Sequence, residues 1–430
     1  MTKAVERYLS RHARPEAEVA EALTRSYRHA VVIPICREPD LSACLEALVR
    51  NRQSGPVLVI GVVNARADAS SDTHRVNEQT LRDHGCAGRS WAQTSLAAEV
   101  DLLVVNRAEG DRLLAPKQGV GTARRIGADI AVRLWQRGQL SSGWVHSTDA
   151  DARVPEGYFQ APENVVARVL PFRHQTEREA LVLYEAGLRF FVLGLLHARS
   201  AYAFQTLGSA LAFRCETYAQ VGGFPQRLAG EDFYLLNKLA KVGAIERSEG
   251  SPLVLVDRDS DRVPFGTGPG ARRIANTRAR GEGFRTYDPR CFDALEAWYG
   301  ALQALSEHRD VRQTREAIHA VHPALWGCLE GLGVEAGLRD AVEQTTRQSD
   351  LHGRLLRWFD ALKALRWVHA LRDSVWPLVP WQQAAEAMAT RHGAPVSEGA
   401  DLGSLLASLE AGRAGEVEGV PVRVNGARAS

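Results

Sequence analysis

Two rhythms of apolar and polar positions divide this chain. Residues 1–27 read as a charged helical extension, and from about residue 28 short continuous apolar runs begin, each followed by turn residues and a helical period. The runs fall at residues 30–35 (AVVIPI), 57–63 (VLVIGVV), 102–105 (LLVV), 143–148 (GWVHST), 209–213 (SALAF) and 253–256 (LVLV). Uninterrupted apolar runs of this length suit strands covered on both faces. After the first run, Pro39 stands where a helix can begin, and Leu41, Cys44, Leu45, Leu48 and Val49 follow at helical spacing. A second helix places Ala123, Ile126, Gly127, Ile130, Ala131 and Leu134 on one face and Arg124, Arg125, Asp129, Arg133 and Arg137 on the other. Strand and helix thus alternate over residues 28–150, which predicts an α/β fold with a mostly parallel sheet flanked by helices. Ligands are then expected at the carboxyl ends of the strands.

From about residue 293 the strand rhythm stops. Phe292, Leu295, Tyr299 and Leu302, then Leu355, Phe359, Leu362 and Leu365, keep helical spacing, and six of the nine tryptophans lie in this stretch. The expected organisation is an extension (1–27), a catalytic α/β domain (28–285), a helical C-terminal region (286–398) and a Gly/Ala/Ser-rich tail expected to be flexible (399–430).

Composition narrows the class. Hydrophobic residues make up 45% of the 430 and charged residues 24%, which excludes wholesale disorder, a collagen-like fibre and a disulfide scaffold. A formal charge of +2 gives no basic field for nucleic acid, so none is expected as partner. The six cysteines form no C-x-x-C pair or zinc-finger cluster and read as reduced cytosolic thiols. The first residues lack the apolar core of a signal peptide, and the longest candidate run, 190–196, is far shorter than a span of about 18–20 residues. A cytoplasmic protein without a transmembrane segment is expected; peripheral membrane contact and self-association stay open.

Four segments carry candidate chemistry. Residues 144–151 (WVHSTDAD) end an apolar strand in Asp149 and Asp151, where a hard divalent cation and a diphosphate could meet; two such acids also serve as plain turn formers. Residues 222–239 bring a glycine-rich approach to Glu231 and Asp232 on the first turn of a helix. A carboxylate held there can act as general base, although acids at that position also stabilise the helix dipole by about 0.3–1 kcal/mol. Residues 117–125 run Gly119 and Gly121 into the helix bearing Arg124. That arrangement can hold an anion, or simply present a solvated basic face, and it lacks the third glycine of a dinucleotide fingerprint. Residues 257–270 form a charged, glycine-rich loop in which Arg258 and Arg262 could reach phosphates, or which is an ordinary surface loop.

The order of these pieces resembles the GT-A nucleotide-sugar glycosyltransferases, most nearly family 2, over residues 28–275. The resemblance implies that Pro34, Ile35, Arg37 and Glu38 border the nucleotide base. Asn64, where the family usually has aspartate, would face the nucleoside, with Gly121 and Arg124 on the donor side. It further implies that Asp149 and Asp151 place Mn2+ or Mg2+ against the donor diphosphate, and that Asp232, with Glu231 beside it, deprotonates the acceptor hydroxyl. The family's Gln-x-x-Arg-Trp motif is missing; Arg357-Trp358 shares only its end. With no membrane spans, transfer of a single sugar from a UDP- or GDP-sugar to an acceptor alcohol is expected, with inversion. A retaining GT-A transferase, a sugar nucleotidyltransferase and a non-catalytic interaction protein on the same fold remain as alternatives.

Overall fold

The computed structural model describes residues 3–257 and 266–391. The chain divides into two compact units, Met1–Glu177 with Thr206–Pro269, and Arg178–Gln205 with Gly270–Ser430. The division thus runs at 177/178, 205/206 and 269/270.

The first unit opens with helix α1 (Lys3–Arg11) and continues through β1 (His29–Ile35), α2 (Ser42–Arg50), β2 (Val57–Asn64), α3 (Ser71–Asp83), β3 (Trp91–Ala97) and β4 (Val100–Arg107). Helix α4 (Val120–Gln136) and strands β5 (Trp144–Ser147), β6 (Ala152–Arg153), β7 (Ala167–Val169) and β8 (Phe172–Gln175) follow. After α5 (Glu179–His197), which belongs to the second unit, the chain returns as β9 (Leu211–Arg214), α6 (Cys215–Gln220), α7 (Glu231–Leu239), β10 (Ile245–Arg247) and β11 (Leu253–Val256).

Eight strands form the main sheet in the order β10-β7-β9-β5-β1-β2-β4-β3. Four neighbouring pairs are parallel (β10·β7, β5·β1, β1·β2, β2·β4) and three antiparallel (β7·β9, β9·β5, β4·β3), so the sheet is mixed rather than mostly parallel. The parallel centre is what the apolar runs predicted: every residue of β1 and β2 is buried. Pro34 is accommodated inside β1 because the β5 ladder ends at Val32↔Ser147. Its missing N–H therefore faces a side on which no partner strand continues. Strands β6, β11 and β8 make a separate small sheet, so the 253–256 run, read correctly as a strand, lies outside the main one.

Strand order reverses at β1: the chain moves to β2 and β4 on one side and returns to β5 on the other. The carboxyl ends of strands at such a switch point are the usual ligand position in open α/β sheets. Arg37 and Glu38 follow β1 at this edge, and Asp149 follows β5.

Helix α4 departs from the sequence reading. The face carrying Arg124, Arg125 and Asp129 was expected to be solvated or to hold an anion; all three are buried, at 3%, 8% and 0% exposure. Each finds a charged partner inside the unit, which is the condition for burying such groups.

The second unit is helical. Besides α5 it contains α8 (Thr267–Ala279), which begins at the boundary, α9 (Arg290–His308), α10 (Val311–Val321), α11 (Leu325–Glu330), α12 (Val334–Glu343), α13 (Gln348–Trp358), α14 (Ala361–Ser374) and α15 (Trp381–Arg391). Its core is aromatic: Trp298 meets Phe359 edge-on at 5.4 Å and Trp367 at 5.9 Å, while Phe190 of α5 meets Trp381 at 5.5 Å. Among the described residues α5 is the one helix long and apolar enough to cross a membrane, with a mean hydropathy of 1.5 over its best window. It carries Glu185 and Arg189 as an internal ion pair and turns Phe190, Leu193 and Leu196 into the core.

Candidate active site

Arg124, one turn into α4, stands at the centre of the candidate site. Its Nε donates to Glu231 Oε1 at 2.9 Å, its Nη1 to Ser147 Oγ at 2.7 Å and the Thr148 carbonyl at 3.3 Å, and its Nη2 to Asp149 Oδ1 at 2.6 Å. The two acid motifs of the sequence, separated by about eighty residues, are thereby joined through one guanidinium. Burial alone would lower the pKa of this arginine, but the negative charges of Asp149, Glu231 and Asp232 outweigh it and hold the group charged.

Asp149 lies two residues beyond the end of β5, and Arg124 bonds both it and Ser147, the last residue of that strand. Gly230 adopts φ 76°, a left-handed conformation that glycine enters without penalty, and α7 starts immediately after it. Glu231 is buried at 3% exposure and Asp232 half-buried. Burial and the adjacent Asp232 push the Glu231 carboxyl up, while Arg124 opposes the rise. Asp232 is also pushed up by burial and by Asp149, against hydrogen bonds from the Phe233 and Gly208 N–H groups and the charge of Arg124.

At the end of β1, Arg37 holds φ 53°, a left-handed conformation that costs a non-glycine residue about 1–2 kcal/mol. Its N–H donates to Asn77 Oδ1 at 2.8 Å, and Asn77 Nδ2 donates to the Asn64 carbonyl at 2.9 Å. Asn64 Nδ2 in turn donates to the Ile35 carbonyl at 2.9 Å, and Thr80 Oγ1 to the Glu38 carbonyl at 3.1 Å. Pro34, Ile35 and Asn64 are buried; the amide of Asn64 knits the ends of β1 and β2 together. Cys44 of α2 donates its thiol to the Asp149 carbonyl at 3.4 Å; its pKa is raised by burial and then by the charges of Asp151, Asp149 and Glu38. Glu38 therefore belongs to the same acidic edge as the strand-end pair.

The glycines at the start of α4, Gly119 just before it and Gly121 in its first turn, serve packing. A Cβ at Gly121 would lie 2.7 Å from the Pro225 carbonyl oxygen, 2.9 Å from Glu231 Cβ and 3.0 Å from the Arg227 carbonyl oxygen, and one at Gly119 would lie 3.2 Å from the Leu228 backbone. Gly121→Ala is accordingly expected to lower unfolding stability by about 1–3 kcal/mol, read as a shift in urea midpoint, because backbone on the Glu231 loop must move. The remaining sequence candidates, Arg258 and Arg262, lie outside the described residues.

Sequence reasoning missed Ser147, Gly208, Asn77 and Thr80. The place of Ser147 two residues before Asp149 was a usable signal for the first. Gly208 had none: its carbonyl accepts from Ser147 Oγ at 2.8 Å, and a Cβ on it would lie 2.6 Å from Arg124 Nη2.

Among the described residues no group of three or more His, Cys, Asp or Glu side chains is placed to hold a metal on its own. The donor set fits the narrower case of a hard cation such as Mg2+, which takes one or two carboxylates and completes its shell with substrate phosphates and water. Asp149 and Asp151 follow β5, and Asp149 is paired to Arg124.

No protein-family model matches the chain, and no curated relative matches it. Several solved structures align with it. One is the mannosyltransferase PcManGT from Pyrobaculum calidifontis in complex with GDP-Man and Mn2+, at 17% identity, covering 84% of this chain and 92% of that one with a TM-score of 0.34. Another is a mycobacterial protein, at 16% identity, covering 65% and 86% with a TM-score of 0.29.

Proposed function

We propose that this protein is a glycosyltransferase that moves one sugar from a nucleoside-diphosphate sugar to an acceptor hydroxyl, with inversion and with help from a divalent cation. The observation that carries the reading is the joining of Asp149 to Glu231 through Arg124, at the sheet edge where strand order reverses. Two acid pairs are thus supplied to one sheet edge, one following β5 and one opening α7.

In this reading the donor lies along the β1 and β5 ends. Arg37 and Glu38 border the base, on a turn whose backbone is fixed by Asn77 and Thr80. Asn64 supports that turn through the Ile35 carbonyl. Asp149 and Asp151 would hold Mn2+ or Mg2+, which when bound neutralises charge on the leaving nucleoside diphosphate. Asp232 takes the proton from the acceptor hydroxyl, an alcohol otherwise un-ionised near neutrality, and its raised pKa suits a base that must accept that proton. Glu231, engaged by Arg124, orients the first turn of α7 instead of reaching the acceptor. Cation-dependent binding of a nucleoside diphosphate, lost in Asp151→Asn, is the test; a protein that binds no nucleotide is better described as an interaction module on the same fold.

A further inference from the structure

We propose that Arg124 is the positioning residue of this site. One guanidinium takes a single acid from each pair, Asp149 and Glu231, and so fixes where their sequence neighbours Asp151 and Asp232 stand. That those neighbours serve a donor and an acceptor rests on the glycosyltransferase reading above; the lock between the acids does not.

Three features support a lock over direct donor contact. First, the guanidinium is 3% exposed and its nitrogens point to three separate places: the start of α7, the Ser147 hydroxyl with the Thr148 carbonyl, and Asp149. A planar guanidinium spreads its donors over three nitrogens and so reaches three separated acceptors, whereas a lysine carries all its donors on one nitrogen. Second, the far side is closed by Gly208, whose missing Cβ makes room for the guanidinium. The Gly208 carbonyl accepts from Ser147, and its N–H is bonded to Asp232, so the base candidate is held by the same assembly. Third, α4 is buried nearly all round and is fixed further along by Asp129, which accepts from Tyr8 and from the Arg14 N–H. Arg124 projects from a helix with little freedom to shift.

A lock makes the charges interdependent: without Arg124, the buried Glu231 loses its cation in a low-dielectric site and the partly exposed Asp149 loses its ion-pair partner. The experiment compares thermal midpoints of Arg124→Met with those of the triple variant Arg124→Met/Asp149→Asn/Glu231→Gln. The lock predicts that neutralising both acids restores most of the midpoint lost on removing the arginine, including the case in which the single variant does not fold and the triple one does. A triple variant no more stable than the single one overturns it.

A second arm uses Arg124→Lys with UDP or GDP and Mn2+. Positioning predicts release of nucleoside diphosphate from the matching nucleotide sugar about 10²-fold slower at saturating donor, whatever the change in nucleotide affinity. A weakened affinity with the saturated rate intact makes Arg124 a donor ligand and overturns the proposal. If the wild type binds no nucleotide, the glycosyltransferase reading fails, and the midpoint comparison still decides the lock.

Discussion

Asp232→Asn should slow sugar transfer by about 10²–10⁴-fold, the range set by loss of a positioned general base. The substitution keeps the shape of the side chain and its ability to accept from the Phe233 N–H, so α7 should still form and the unfolding midpoint should change little. Measured as nucleoside-diphosphate release with each donor, the loss should fall on kcat, with nucleotide affinity retained. The wild-type acid limb should lie above the ordinary aspartate range, because burial, the leading influence on Asp232, raises its pKa. Below that limb the base is protonated and transfer stops; above it the carboxylate is available. Full activity in Asp232→Asn would remove this residue from the chemistry.

Asp129→Ala should destabilise the protein by about 3–5 kcal/mol, as expected when one member of a buried charged pair is removed. Asp129 is fully buried on α4 and accepts from Tyr8 Oη at 2.6 Å, Tyr218 Oη at 3.3 Å and the Arg14 N–H at 2.7 Å, with Arg125 Nε 3.7 Å away. Arg125 donates onward to the carbonyls of His12 and Phe224, so this carboxylate ties α1 to α4 and to the glycine-rich approach of the Glu231-Asp232 segment. Truncation leaves two hydroxyls and an N–H without their acceptor and removes the negative charge beside Arg125.

The same group gives a pH signature. Burial raises its pKa to about 6 from an ordinary 3.8, against the hydrogen bonds from Tyr8 and Arg14 and the charge of Arg125. The folded protein therefore holds this proton more tightly than the unfolded chain does. That contribution to stability is full below 3.8 and is lost as pH rises through about 6. Asp129→Asn lacks the titration, so the gap in urea midpoint between wild type and Asp129→Asn should narrow as pH rises across that window. A gap that is constant or widens contradicts the account.

Much of the parallel centre was legible because a strand covered on both faces has to be apolar throughout: β1, β2 and β4 coincide with the runs at 30–35, 57–63 and 102–105 to within a few residues. The edge strand β3 (WAQTSLA) was missed since its exposed residues need no apolar pattern, and β7 and β10, at three residues each, are too short for any period to show. The antiparallel insertion of β9 between β5 and β7 is a fact of long-range pairing that no local pattern carries.

The site shows the same division. Paired acids at a strand end and a helix start are local motifs and stood out, whereas the burial of Arg124 depends on Glu231, 107 positions away. Charges on one face of a helix ordinarily mean solvent, so Arg125 and Asp129 read as surface until their partners Tyr8, Tyr218, His12 and Phe224 are in place. Asn64 likewise looked ligand-facing in sequence, while its amide is committed to the Ile35 and Val62 carbonyls.

The central claim is that this sheet edge binds a nucleoside diphosphate with a divalent cation. Thermal unfolding of the wild type and of Asp151→Asn, with UDP, GDP, CDP and dTDP in the presence and absence of Mn2+ or Mg2+, tests it most directly. At about a hundred times its dissociation constant a ligand adds about 2.7 kcal/mol of stability, a readily measured rise in midpoint. The account predicts such a rise for one nucleotide, dependent on the cation and absent in Asp151→Asn. No rise with any nucleotide, or an equal rise in Asp151→Asn without the cation, would contradict it.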